Sequence, residues 1–236
     1  MQRSSKQPAV VLPGERNKGQ AKPVDYYAGA RADFVREMPD DPDAAILEIG
    51  CAEGATGALA LKSCKCRRYV GVERHQASAQ LARTRLSDVI VGDVENLELT
   101  FPQASFDVLV LSEVLEHLVD PWHLLARISE YLKPGGLVFA SVPNVSHYSV
   151  IAQLLRGQWT LTDSGIMDAT HLRWFTPATV GAMFEQSGFS VQRLGPLGPI
   201  SKKAAFVNWL TFRHFEHLFI GQVTVRALKR GPAVGL

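Results

Sequence analysis

A chain of 236 residues, 46% hydrophobic and 20% charged, can bury a sizeable core, and one α/β domain is expected of it. No apolar run reaches the roughly 18 residues needed to cross a bilayer, and Met1-Gln-Arg-Ser-Ser-Lys6 lacks the apolar centre of a signal peptide. A cytoplasmic protein with no transmembrane segment is therefore expected. The formal charge of +2 hides an asymmetry: residues 1–23 sum to +4, residues 201–236 to +5 and the middle to −7, so a nucleic-acid partner is disfavoured.

Residues 1–24, with Pro8, Pro13, Gly14, Gly19 and Pro23 among polar side chains, read as a flexible leader, and residues 25–236 as one domain. A short helix is expected at 31–38, ended by Pro39-Asp-Asp-Pro42, and a strand at 44–49. Alternation follows: helix 55–62, strand 68–73, helix 75–87, strands 88–92 and 106–112, helix 120–132 and strand 136–142. Asp120 before Pro121 is a helix start, and Lys133-Pro-Gly-Gly136 is a stop. Residues 143–175 break the rhythm and read as a lid or substrate-side insertion. Thr176-Pro177 starts a helix that ends near Gly188, strand 189–193 follows, and a second insertion over 195–217 carries a helix at 203–215. The last strand is 219–228. Short apolar strands alternating with helices predict a doubly wound, mostly parallel seven-stranded sheet covered on both faces.

Three cysteines cannot all pair, and Cys64 and Cys66 are too close for an easy disulfide, so reduced thiols are expected. A cysteine metal site at Cys51, Cys64 and Cys66 is disfavoured on ligand spacing.

The most informative stretch is Ile46-Leu-Glu-Ile-Gly50-Cys-Ala-Glu-Gly54, an apolar run ending in glycines and opening into the helix-prone Ala55-Thr-Gly-Ala-Leu. A strand that turns tightly into a helix aims several backbone N–H groups at one point above the sheet. Tyr69-Val-Gly-Val-Glu73 follows as a second strand ending in an acid suited to ribose hydroxyls. The spacing is G-x-x-x-G with Glu48 upstream, whereas a dinucleotide site calls for G-x-G-x-x-G.

These segments, with Val91-Gly-Asp93-Val94 after the third strand, resemble class I S-adenosylmethionine-dependent methyltransferases over residues 44–142. The resemblance implies a Rossmann-like methyltransferase fold with S-adenosyl-L-methionine as cofactor. It places Glu48, Gly50, Cys51, Ala52, Gly54, Glu73, Asp93, Val94 and Ser112 around that cofactor. Glu73 would take the ribose, Asp93 the adenine amino group and Val94 would supply an N–H. The chain departs from the family at Ala52, where a second glycine is more usual; alanine costs little there if its φ is negative.

Directly after the fourth strand comes Leu111-Ser-Glu-Val-Leu-Glu-His-Leu118. If it is helical, Glu113, Glu116 and His117 fall at i, i+3 and i+4 on one face, placing a base with a pKa near 6.5 at the reaction centre. The catalytic candidates are His117, His171 and Glu113, with His147 secondary. His75, His123, His214 and His217 read as surface or packing residues. The E-x-x-E-H pattern, with Asp168-Ala-Thr-His171 downstream, is similar to ubiquinone-biosynthesis O-methyltransferases and to small-RNA 2′-O-methyltransferases. By that resemblance Glu113, Glu116, His117 and His171 hold a divalent cation, with Zn²⁺, Mn²⁺ or Fe²⁺ suiting the donor set better than Mg²⁺. Metal-free methyltransferases share the motif too, so a divalent cation stays open as a second cofactor.

Tyr26-Tyr27 with Arg31, then Pro143-Asn-Val-Ser-His-Tyr148, then the run from Gly157 to Thr176 look like bacterial methyltransferases of polysaccharide, antibiotic and other small-molecule biosynthesis. The expected reaction is O-methylation of a small-molecule hydroxyl on a sugar, phenol or natural-product scaffold, with Trp159, Trp174 and Phe175 as a flat apolar wall. N-methylation, RNA 2′-O-methylation, a non-catalytic cofactor-binding module and a homodimer are left as alternatives.

Overall fold

The structure, a computed structural model, describes residues 29–231, so the expected leader and Tyr26-Tyr27 lie outside the described residues. In chain order the elements are α1 (Ala32–Glu37), β1 (Ala45–Ile49), α2 (Ala55–Lys62), β2 (Arg68–Glu73), α3 (Gln76–Ala82), β3 (Asp88–Val91), β4 (Phe106–Ser112), α4 (Pro121–Ser129), β5 (Leu132–Pro143), α5 (Tyr148–Leu154), α6 (Pro177–Gln186), β6 (Phe189–Pro196), α7 (Lys202–Leu210) and β7 (Gln222–Lys229). Seven strands form one sheet in the order β3-β2-β1-β4-β5-β7-β6. The first five in that order run parallel, and β7 is antiparallel to both β5 and β6. The expected doubly wound sheet is therefore present.

The period of two along the central strands sends alternate side chains to two separate cores. Leu47, Ile49, Leu109 and Leu111 pack with Leu125 and Ile128 of α4 and Phe184 of α6 on one face. Ile46, Val108 and Val110 pack with Phe34 of α1, Ala60 of α2 and Ala79 of α3 on the other. Each fully buried Leu, Ile or Phe stabilises the fold by about 2 kcal/mol. The strand order reverses between β1 and β4, and open α/β sheets bind ligands in the crevice beyond the carboxyl ends of such neighbours.

Several boundaries differ from the sequence expectation for local reasons. α4 stops at Ser129 because the Lys229 amino group, from β7, donates to the carbonyls of Ser129 at 2.6 Å and Leu132 at 2.7 Å. β5 accordingly starts at Leu132, opposite Phe106, and shifts register before Val108 meets Leu137, so Lys133-Pro-Gly-Gly136 is an irregular strand start and not a plain stop. Residues 143–175 are not wholly irregular: the His147 ring accepts from the Ser149 N–H and starts α5. α7 ends at Leu210, short of 215, because Phe212 and Arg213 take positive φ of 48° and 62°. Among the described residues no helix is long and apolar enough to cross a membrane.

Candidate functional site

The chain leaves β1 through three left-handed residues, Gly50 (φ 73°), Ala52 (φ 49°) and Gly54 (φ 79°), so the condition under which alanine costs little at position 52 is not met. Glycine is required on both sides of it. A Cβ on Gly50 would stand 2.5 Å from Val114 Cγ2, and one on Gly54 3.2 Å from the Ala82 backbone. Gly50 N–H and Cys51 N–H both donate to the Val72 carbonyl, at 2.8 and 3.1 Å. Ala52 N–H donates to Glu73 Oε2 at 2.9 Å, and Glu73 Oε1 accepts from His75 N–H at 2.7 Å. The Glu73 carboxylate is thereby fixed at the end of β2 while keeping lone pairs for further donors. Cys51 Sγ fills the gap over Gly71, where a Cβ would lie 2.4 Å away, and burial pushes its thiol far above the ordinary range. That sulfur is packing, not a nucleophile.

Glu48 is only 2% exposed and accepts from the Tyr69 hydroxyl at 2.9 Å. Burial raises its carboxyl to about 8; the Tyr69 hydrogen bond and the Arg31 charge oppose that rise without cancelling it. Arg31 is the residue that sequence reasoning left without a role. Its guanidinium donates to Ser112 Oγ and Ser141 Oγ, both at 2.6 Å, is paired with Asp33 at 2.7 Å, and lies 3.6 Å over the Phe34 ring. Its own N–H donates to Thr56 Oγ1 of α2 at 3.1 Å, so this segment crosses from β4 and β5 to the cradle.

Beyond β3, the Asp93 carboxylate accepts from Glu95 N–H at 3.1 Å, and its carbonyl accepts from the N–H groups of Asn96 and Leu97. Val94 is buried, with its carbonyl held by Arg127. Glu95 in turn accepts from Val119 N–H at 3.0 Å and Asp120 N–H at 2.8 Å, tying this turn to the start of α4. A cavity of about 380 Å³ opens there, lined by Asp93, His123 and Arg127 among others.

After β4 the chain is not the expected α-helix. Glu113 takes a φ of 54°, and one 3-10 turn, Leu115–His117, follows. The spacing argument that put Glu113, Glu116 and His117 on one face therefore fails, because the left-handed residue re-aims the Glu113 carboxylate to accept from Ser141 Oγ at 2.7 Å. The turn instead brings together Glu116, His117 and His171, whose donor atoms lie within 4.8 Å of one another, and Glu113 stands outside that group. Glu116 is 1% exposed, and neither carboxylate oxygen has a hydrogen-bond partner. Burial first, then the charges of Glu113 and Asp168, push its carboxyl well above the usual carboxylate range.

The Nδ1 atom of His117 faces the Thr170 carbonyl at 3.2 Å, and that of His171 faces the Ile166 carbonyl at 3.1 Å. Carbonyl neighbours favour Nδ1–H tautomers, which makes Nε2 the basic nitrogen in each ring. The Glu116 carbonyl accepts from the N–H groups of Leu172 and Arg173, at 2.7 and 3.0 Å, and so clasps the first insertion to the turn. A buried carboxylate without donors beside two imidazoles fits a divalent cation of the Zn²⁺, Mn²⁺ or Fe²⁺ kind. The glycine-walled loop likewise fits a ligand that approaches backbone closely. His147 lies apart at the start of α5, and Trp159 meets Trp174 edge to face at 5.4 Å.

A family profile described as a methyltransferase domain matches residues 24–194. A Mycolicibacterium smegmatis protein named as a probable S-adenosylmethionine-dependent methyltransferase is 30% identical over 147 residues, 62% of this chain and 52% of that protein. This chain thus spans about half the length of that relative. The ubiquinone biosynthesis O-methyltransferase of Chromobacterium violaceum is 26% identical over 184 residues, 75% of this chain and 78% of that protein. A solved S-adenosylmethionine-dependent methyltransferase from Archaeoglobus fulgidus shares the fold, with a TM-score of 0.62 at 20% identity over 87% of this chain and 97% of that one. With the profile covering most of the chain and the cradle built as described, the chain belongs to the methyltransferase-domain family, within the class I S-adenosylmethionine-dependent methyltransferases.

Proposed function

We propose that this protein transfers a methyl group to a hydroxyl oxygen of a small molecule. The observation that carries the reading is the His117–His171 pair above the buried Glu116 carboxylate, which adjoins the cradle through the packing of Val114 on Gly50. S-Adenosyl-L-methionine, the donor its family uses, supplies an electrophilic methyl carbon when bound. The chain's own residues do the rest. The Gly50–Gly54 loop and Arg31 receive the amino-acid end, Glu73 accepts from the ribose hydroxyls, and Asp93 with Val94 border the adenine.

Methyl transfer is an in-line displacement, so the protein must align the acceptor and take its proton. His117 Nε2 is the base in this reading, with Thr170 orienting the ring through Nδ1 and His171 packed edge-on to hold it. An imidazole whose basic nitrogen is Nε2 suits a hydroxyl that must lose a proton on attack. Were a divalent cation bound, Glu116, His117 and His171 would hold it, His117 Nε2 would then be a ligand and not the base, and the cation would supply a Lewis acid that lowers the hydroxyl's pKa in place of that base. The insertions at 143–175 and 195–217 cover the acceptor side of the sheet, the first acting as a lid. Residues 25–236 then work as one domain.

The test is turnover of a panel of phenols, sugars and amines with S-adenosyl-L-methionine, read by S-adenosyl-L-homocysteine release with and without chelator. Methylation of hydroxyl acceptors is expected. Product from amines alone would overturn the oxygen assignment.

A further inference from the structure

Asn144 lies just past the carboxyl end of β5, fully buried, and every polar atom of its side chain is engaged across three segments. Its Nδ2 donates to the carbonyls of His217, at 2.7 Å, and Ile220, at 2.6 Å. Its Oδ1 accepts from Ser146 N–H at 3.0 Å and Ser146 Oγ at 2.6 Å. Its own N–H donates to the Gly221 carbonyl at 3.0 Å, and the residue bridges to Phe175, whose carbonyl accepts from Val145 N–H at 2.9 Å. The side-chain amide thus fastens the start of the first insertion to the return of the second into β7, while the backbone at Asn144 and Val145 ties in Phe175 at the first insertion's end.

Between those two insertions lies a cavity of about 290 Å³. One wall is His147 and Tyr148, three and four residues after Asn144; the other is Ile200 and Ser201 of the second insertion together with Phe219, which stands in the chain between the His217 and Ile220 carbonyls that Asn144 holds. The Tyr148 and Phe219 rings, both lining it, lie with centroids 6.4 Å apart and planes tilted by 44°. At about 3.3 Å per strand residue, Asn144 is roughly 10 Å further along the chain of β5 than Ser141, which meets Glu113 and Arg31. A side chain with two donors aimed at two carbonyls, in a buried place, fixes the spacing between the His147–Tyr148 wall and the Phe219 segment.

We propose that Asn144 is a positioning residue for the methyl acceptor: it holds the two insertions in register so that the cavity between them is a formed acceptor pocket. This rests on the O-methylation reading. Replacing the amide by a carboxylate keeps the shape and the acceptance from Ser146, but turns an acceptor toward the His217 and Ile220 carbonyls, so the walls must part. The bonds lie away from the cradle, so cofactor affinity is left as it was.

The full chain carrying Asn144→Asp is assayed with the hydroxyl acceptor of highest turnover in a phenol and sugar panel, catechol being the reference compound. The KM for acceptor is expected to rise tenfold or more, with kcat within threefold and the S-adenosyl-L-methionine Kd within twofold. Amide hydrogen exchange over 217–222 should quicken tenfold while β1 and β4 stay protected. Should that variant not fold, Ile200→Trp, which fills the cavity from one wall, must give the same KM rise. Unaltered KM in the variants that fold overturns the positioning role. Equal loss of kcat and cofactor affinity overturns it too, since it marks general damage. A wild-type protein that methylates no hydroxyl acceptor sinks the underlying O-methylation reading and this inference together, which sets that failure apart from the other two.

Discussion

The rings of His117 and His171 meet edge to face, centroids 4.8 Å apart and planes at 69°, although the residues come from a turn after β4 and from an insertion 54 positions later. Such a contact makes the orientation of one imidazole depend on the other. With His117 as base, His117→Ala is expected to lower kcat about a hundredfold or more, the general-base range, with the cofactor Kd unchanged by calorimetry. His171→Ala should fall between that variant and wild type. Parallel loss of turnover and cofactor affinity in His117→Ala would remove the base assignment.

Glu116 carries a second expectation. A carboxylate whose two oxygens lack donors in a buried site is either protonated or charge-compensated by something that binds there. If a cation compensates it, Mn²⁺ or Zn²⁺ at about a hundred times its Kd adds roughly 2.7 kcal/mol of stability. For a chain of this size that is about 5–10 °C in Tm. Chelator should reverse the shift, and Glu116→Gln should abolish it. A chain whose Tm ignores Zn²⁺, Mn²⁺ and Fe²⁺ alike holds a proton on Glu116 instead, and then Glu116→Gln, nearly isosteric, is neutral or stabilising.

The parts of the fold legible in the sequence are those specified locally. The strand, glycine turn and helix at 45–62 could be read because Gly50 and Gly54 stand where positive φ is compulsory, and the sheet because apolar strands alternate with helices. What was misread depends on remote partners. E-V-L-E-H is permissive for a helix, and nothing nearby in the sequence marks Glu113 as left-handed; its partner Ser141 is 28 residues away. Arg31 reaches Ser112 and Ser141 across 81 and 110 residues, and no periodicity records such pairs. The end of α4 is likewise set by Lys229, 100 residues on from Ser129.

Ala52 offers a direct test of backbone strain. A left-handed φ of 49° on a residue with a Cβ costs about 1–2 kcal/mol relative to glycine in that conformation. Part of this is offset because glycine loosens the unfolded chain. Ala52→Gly should therefore change stability by less than about 1 kcal/mol, in the stabilising direction, while keeping the N–H donated to Glu73. Ala52→Val, β-branched, should cost more than alanine and weaken the cofactor by displacing that donor. Denaturant midpoints and calorimetric titration of both variants check the pair. A glycine variant less stable than wild type means the φ is relaxed in solution.

Glu48 sets a pH dependence whose sign follows from burial. Its carboxyl titrates at about 8 in the fold against 4.5 for the ordinary group, so between those values the folded chain keeps a proton that the unfolded chain has released. Stability from this group is therefore complete below pH 4.5, falls as pH rises through the window, and levels off above 8, by at most on the order of 5 kcal/mol. Glu48→Gln removes the titration while its amide oxygen still accepts from the Tyr69 hydroxyl. In chelator, thermal melts from pH 5 to 9 should show the wild-type Tm declining more steeply than that of Glu48→Gln, with the curves separating toward pH 8. Glu116, raised in the same direction, contributes to both proteins alike and drops out of the comparison. Parallel curves would mean that Glu48 ionises as an ordinary carboxylate, and that the Arg31 charge outweighs the burial which otherwise governs it.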